Sequence, residues 1–151
     1  MKSINKNINY AQKILIEYAE HKQLKKFWKE NIEGKGFNFV YLWNIAKGKF
    51  NPSLEFIWIC RKKINPVFWF YNVTEEKPVE CKISKLPERY DYYSNKNFLF
   101  ICNLETLGLW CRKNKISYNM LWLLKNHKRK ITFKKILLFK KYLPISGWFE
   151  F

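Results

Sequence analysis

Phe37-Asn38-Phe39-Val40-Tyr41-Leu42-Trp43, followed after Ala46-Lys47-Gly48-Lys49 by Leu54-Glu55-Phe56-Ile57-Trp58-Ile59-Cys60, is the stretch on which the fold class turns. Both runs are rich in aromatic and β-branched residues, which suit a pleated, half-buried strand. The polar segment between them carries a glycine and reads as a turn, so the composition predicts a β-hairpin over residues 37–60.

Upstream, residues 1–12 are polar and weakly helical, and Ile14-Leu15-Ile16-Glu17-Tyr18 is short and apolar enough for a strand. From His21 the period becomes helical. Leu24, Phe27, Trp28 and Ile32 recur at three- and four-residue spacing while Lys22, Lys25, Lys26, Lys29 and Glu30 fill the other face, and Gly34 and Gly36 end the pattern. Downstream, Asn65-Pro66 punctuates before an apolar run at 67–73, and Glu75-Glu76-Lys77-Pro78 is a polar turn marking a lobe boundary. Residues 79–83, 98–102 and 109–111 read as further strands. Residues 112–141, Lys-rich with Leu, Ile and Phe between the charges, read as one or two helices, and Trp148-Phe149 form an aromatic end too apolar to dangle. No internal repeat stands out.

Charge decides the partner class. The chain carries 29 Lys plus Arg against 12 Asp plus Glu, a net +17 on 151 residues, and no acidic residue occurs between Glu105 and Glu150. Such an excess repels itself unless a polyanion neutralises it, and each neutralised phosphate of a nucleic acid releases condensed counterions. With 48% hydrophobic and 19% aromatic residues, the charge sits on a folded body rather than a disordered basic arm. The aromatics offer flat faces for unstacked bases, although most belong to the core.

Catalysis has little to work with. His21 and His127 lie in Lys-rich stretches and read as surface residues; Glu75-Glu76 and Glu88 with Asp91 read as solvent-facing acids. Cys60, Cys81, Cys102 and Cys111 form no C-x-x-C pair and read as buried free thiols. No phosphate-binding loop or dinucleotide fingerprint occurs, no apolar run approaches the ~20 residues of a membrane span, and residues 1–5 lack a secretory pattern. The chain is expected to be neither an enzyme nor a metal, cofactor or small-molecule binder. Its excess of Lys, Asn, Ile, Phe and Tyr over Ala points to an AT-rich genome.

Read in order, several stretches resemble the universal family of the eighth protein of the ribosomal small subunit. They are Ile14 to Tyr18, His21 to Leu24, Glu33-Gly34-Lys35-Gly36-Phe37, the hairpin, Lys77-Pro78, residues 82–87, and Asn97 to Asn103 leading into Leu104-Glu105-Thr106-Leu107-Gly108-Leu109-Trp110. Of the family's hydroxyl-rich signature only Thr106 and Gly108 carry over, the closing Gly-Gly-Glu is reduced to Ser146-Gly147-Trp148, and residues from about 115 to 140 stand as a basic insertion.

The resemblance implies an α/β (α+β) protein of two lobes: residues 1–72, a sheet with two helices, and residues 73–151, a mostly antiparallel sheet carrying the insertion. It implies a structural constituent of the ribosomal small subunit that binds and stabilises the central domain of its RNA among neighbouring ribosomal proteins, in a mitochondrial, organelle-encoded setting. Lys22, Lys25, Lys77, Arg112, Lys113, Lys128, Arg129 and Lys130 would touch phosphate, and Thr106 with Gly108 would face RNA. The alternatives are a phage or plasmid nucleic-acid-binding or inhibitor protein acting on a host nucleoprotein complex, an accessory subunit lying on anionic lipid, and an RNA-cleaving enzyme.

Overall fold

The structure, a computed structural model, describes residues 7–83 and 87–151. Among them are α1 (Tyr10–Glu20), α2 (Leu24–Asn31), α3 (Phe39–Ala46), α4 (Leu54–Ile59), α5 (Lys96–Asn103), α6 (Leu107–Asn114), α7 (Tyr118–Lys125) and α8 (Phe133–Phe139), with 3-10 turns at Pro66–Phe70, Tyr92–Ser94 and Ile145–Trp148. The β-structure among the described residues is one antiparallel bridge between Asn9 and Asn72. The chain divides into two compact units, Met1–Ile83 and Ser84–Phe151.

The expected α/β fold is therefore overturned, and the capping residues explain why. Asn9 accepts from the Gln12 N–H at 2.8 Å while the Gln12 side chain accepts from Asn9 N–H at 3.0 Å. This capping box starts α1, so residues 14–18 are its interior, with Ala11 and Leu15 buried on one face. The expected hairpin is two helices: Asn38 Oδ1 accepts from Tyr41 N–H at 2.8 Å, and Ser53 Oγ from Phe56 N–H at 3.2 Å. Each such cap contributes about 1 kcal/mol, enough to tip short segments whose β-branched and aromatic side chains pay only a small penalty in a helix. The run at 67–73 holds a 3-10 turn beginning at Pro66, and residues 98–102 and 109–111 lie in α5 and α6. Residues 79–83 form no regular element. Residues 112–141 hold the end of α6 and all of α7 and α8; they are built into the second unit rather than inserted. Of the remaining expectations, the weak helix over 1–12 and the segment at 82–87 fall partly outside the described residues.

In the first unit α1 packs on α2, α3 and the Pro66–Phe70 turn, and α4 packs on that turn. Phe56, Ile57, Trp58, Trp69 and Phe70 are almost fully buried, and each such side chain contributes roughly 1.5–3 kcal/mol by leaving water. In the second unit α5 packs on α7 and the Ile145–Trp148 turn, and α6 packs on α7. Lys96 N–H donates to the Glu150 carbonyl at 2.8 Å, and Lys96 Nζ meets Glu150 Oε2 at 2.9 Å, fastening the chain's end to the start of α5.

The two units repeat one another in register, a feature the sequence reading missed. Without a gap, Gly36 corresponds to Lys115, Asn38 to Ser117, Leu42 to Leu121, Ile45 to Leu124, Ser53 to Thr132, Ile57 to Ile136, Ile64 to Leu143, Trp69 to Trp148 and Phe70 to Phe149. The paired apolar residues are all buried, and Asn38, Ser53, Ser117 and Thr132 all cap helices. Gly36 and Lys115 share positive φ, as do Gly48 and His127. Even the helix closures match: Lys49 N–H reaches the Asn44 carbonyl at 3.0 Å where Lys128 N–H reaches Leu123 at 2.9 Å. Identities are few because the caps and core positions need only residue classes.

Candidate nucleic-acid interface

The link between α6 and α7 is Lys115, Ile116 and Ser117. Lys115 takes the left-handed conformation at φ 54°, and Ile116 N–H returns to the Cys111 carbonyl at 2.9 Å. Ser117 Oγ then accepts from Met120 N–H at 3.3 Å and opens α7. Cys111 of α6 and Leu121 with Leu124 of α7 are buried, and the two helices pack on one another. Two short helices joined by such a tight turn have the connection of a helix-turn-helix, and α7 has an outer face turned away from α6. Here that face carries Tyr118, Asn119 and Trp122, all exposed.

Beside it lies an open groove of about 410 Å³, lined by Leu104 to Gly108, Tyr118, Trp122, Lys125 and Asn126. The sequence-derived residues Thr106 and Gly108 fall here: Thr106 is the N-cap of α6 without a side-chain capping bond, and Gly108 lies in the first turn of the helix. Arg112 and Lys113 occupy the exposed last turn of α6, the cationic end that suits the helix dipole. Lys128, Arg129 and Lys130 are exposed in the turn after α7, which Tyr92 anchors by donating its hydroxyl to the Arg129 carbonyl at 2.9 Å. Lys135 lies near enough that burial, and then the like charge of Arg129, lower its pKa.

The first unit offers the matching face on α3, with Asn38, Val40, Trp43 and Lys47 exposed. Lys25 Nζ sits 4.9 Å from the Trp28 ring centroid and 4.5 Å from that of Phe39, while Lys47 Nζ sits 4.5 Å from Trp43. Of the remaining sequence-derived residues, Lys22 is exposed between α1 and α2 at φ 57°, and Lys77 lies over the Phe68 ring at 5.3 Å. Trp43, Lys47, Tyr118, Trp122 and Lys125 were not singled out from sequence. Their signal was the spacing from the helix caps Asn38 and Ser117.

The described residues contain no group of three or more His, Cys, Asp or Glu side chains placed to hold a metal ion. No helix among them is long and apolar enough to cross a membrane. Burial pushes the Cys60 thiol up to about 12, only partly offset by Lys35, and raises Cys102 and Cys111 as well. These thiols are poor nucleophiles.

In comparisons with known proteins, the chain is 28% identical over 149 residues to the DNA-directed RNA polymerase subunit beta' of Bigelowiella natans, covering 93% of this chain and 19% of that protein. The chain thus spans about a fifth of the length of the relative it matches. No family model matches, and no solved structure does. The expected membership of the eighth small-subunit ribosomal protein family is overturned: its sheets are absent from the described residues, and the similarity found is to a polymerase subunit.

Proposed function

We propose that this chain is a non-catalytic nucleic-acid-binding protein that grips the phosphate backbone around its α6–α7 helix pair. The observation that carries the reading is the α6–α7 pair itself, two short helices joined by a tight turn and packed on one another, with a polar and aromatic outer face on α7. In DNA-binding helix-turn-helix proteins the second helix enters the major groove while the first crosses the backbone. On that docking, Arg112, Lys113, Lys128, Arg129 and Lys130 meet phosphate, and Ser117 and Asn119 reach base edges. The acid-free run from Thr106 to Phe149 supplies the field that draws a polyanion in. Likeness to a DNA-directed RNA polymerase subunit favours the same polymer class.

The reading is tested by fluorescence anisotropy with a labelled DNA duplex and an RNA duplex of matching sequence across a salt series. Log affinity is expected to fall linearly with log salt, and replacing Lys128 by Ala is expected to lower the slope's magnitude by about 0.9 on DNA. Tighter binding to the RNA duplex would favour RNA as the target. Absence of binding to either at low salt would overturn the proposal.

A further inference from the structure

Trp43 and Trp122 hold the same place in the two repeated units and are exposed to nearly the same degree, 39% and 40%. One helical turn before each stands another aromatic residue, Phe39 and Tyr118. A large aromatic left in water at one position of a repeat is ordinary; a tryptophan left there in both units, beside an exposed Tyr118 in one and a half-buried Phe39 in the other, is not accounted for by packing. Nor does it suit base-edge reading, because an indole offers one N–H donor and no acceptor, and Phe39 offers neither. A flat apolar face does suit the face of a base that has left its stack.

The surroundings agree with such a ligand. Trp122 walls the groove of about 410 Å³, within the range of sites that enclose small organic groups, about 300–1,000 Å³. Leu104 and Tyr118 add apolar wall, Asn126 adds hydrogen-bonding capacity, Lys125 supplies a cation for the adjoining phosphate, and the Glu105 carboxylate, which also lines the groove, can accept from a base N–H but repels phosphate. In the first unit the Phe39 and Trp43 rings lie 6.3 Å apart, with Lys25 over Phe39 and Lys47 over Trp43. A lysine on its flexible stem can leave a ring face for a phosphate when a base arrives.

We infer that the Phe39–Trp43 and Tyr118–Trp122 pairs each stack an unpaired nucleobase, so that the chain prefers single-stranded or locally opened nucleic acid over a closed duplex. This rests on the backbone grip of the lysines and arginines described under the proposed function, and departs from it in one respect: α7 meets unpaired bases in place of a closed major groove.

Labelled oligothymidine and a duplex of the same length, titrated with the full chain at one salt concentration, test it. Wild type is expected to bind oligothymidine more tightly. Trp122→Ala and Trp43→Ala are each expected to lower the single-strand to duplex affinity ratio about ten-fold, and Trp122→Phe to restore most of it. Both tryptophans are more than half covered, so the alanine variants are expected to unfold at a lower temperature; the affinity ratio is read below that transition, and Trp122→Phe keeps most of the packing. If wild type binds duplex with a steep slope in the salt series described above, yet the ratio here is unmoved in both alanine variants, this inference fails and the proposed function stands. If wild type binds neither ligand, both fail.

Discussion

Gly147 lies flush against the side chain of Asn97: a Cβ on Gly147 would come within 2.5 Å of Asn97 Cγ and 2.9 Å of its Nδ2. Asn97 cannot yield, because its Nδ2 donates to the Pro144 carbonyl at 2.7 Å and it is buried at the start of α5. Gly147→Ala is therefore expected to destabilise the second unit by about 2–4 kcal/mol, combining overpacking with loss of that bond. Urea unfolding followed by tryptophan fluorescence checks this. Asn97→Ala in the same chain should recover part of the loss, since the two sites share one contact.

Lys115 pays for a conformation that glycine adopts freely at the equivalent Gly36. Lys115→Gly is expected to stabilise the second unit by about 1 kcal/mol, and Lys115→Val to destabilise it further. The urea midpoints should order Gly, Lys, Val from high to low.

Gly108 has room where Gly147 has none. A Cβ there meets only the Tyr118 ring, at 3.9 Å. Gly108→Val is expected to leave a folded protein by circular dichroism while its side chain narrows the groove beside Trp122. Single-strand affinity should fall; an unchanged affinity would remove Gly108 from the site.

The buried Cys60 thiol makes stability depend on alkaline pH. Its folded pKa is raised from 9.0 to about 12 by burial, so its contribution is intact below pH 9 and is lost as pH rises from 9 towards 12. Within that window stability should fall by up to about 1.4 kcal/mol per pH unit from this group. Cys60→Ala should flatten the profile between pH 9 and 11 when urea midpoints are compared.

The sequence made some features plain and hid others for definable reasons. The acid-free C-terminal third, the helix at Leu24 and the helical character of 112–141 follow from charge and period. The remaining helices are short and built of Phe, Trp, Ile, Tyr and Val, residues that by propensity favour strands, so α3, α4 and α5 read as sheet. What overrode propensity was local: Asn9, Asn38, Ser53, Asn95, Ser117 and Thr132 each cap a helix with a side-chain oxygen. The same spacing from Asn38 to Ser53 and from Ser117 to Thr132 would have exposed the repeat. Of the candidate site, the lysines and arginines follow from the charge run, whereas Thr106 and Gly108 came only from the overturned ribosomal resemblance. Trp43 and Trp122 were not legible, because among so many core aromatics only the helical register reveals which ones face outward.

Ultraviolet crosslinking of the full chain to a labelled oligonucleotide, with the joined residues mapped by mass spectrometry, tests most directly that the aromatic outer faces of α3 and α7 meet nucleic acid. Crosslinks at Trp43, Tyr118 and Trp122, lost on raising salt, are the predicted result. Crosslinks confined to the exposed Leu138 of α8 and Tyr142 after it, or none at all under low salt, would contradict it.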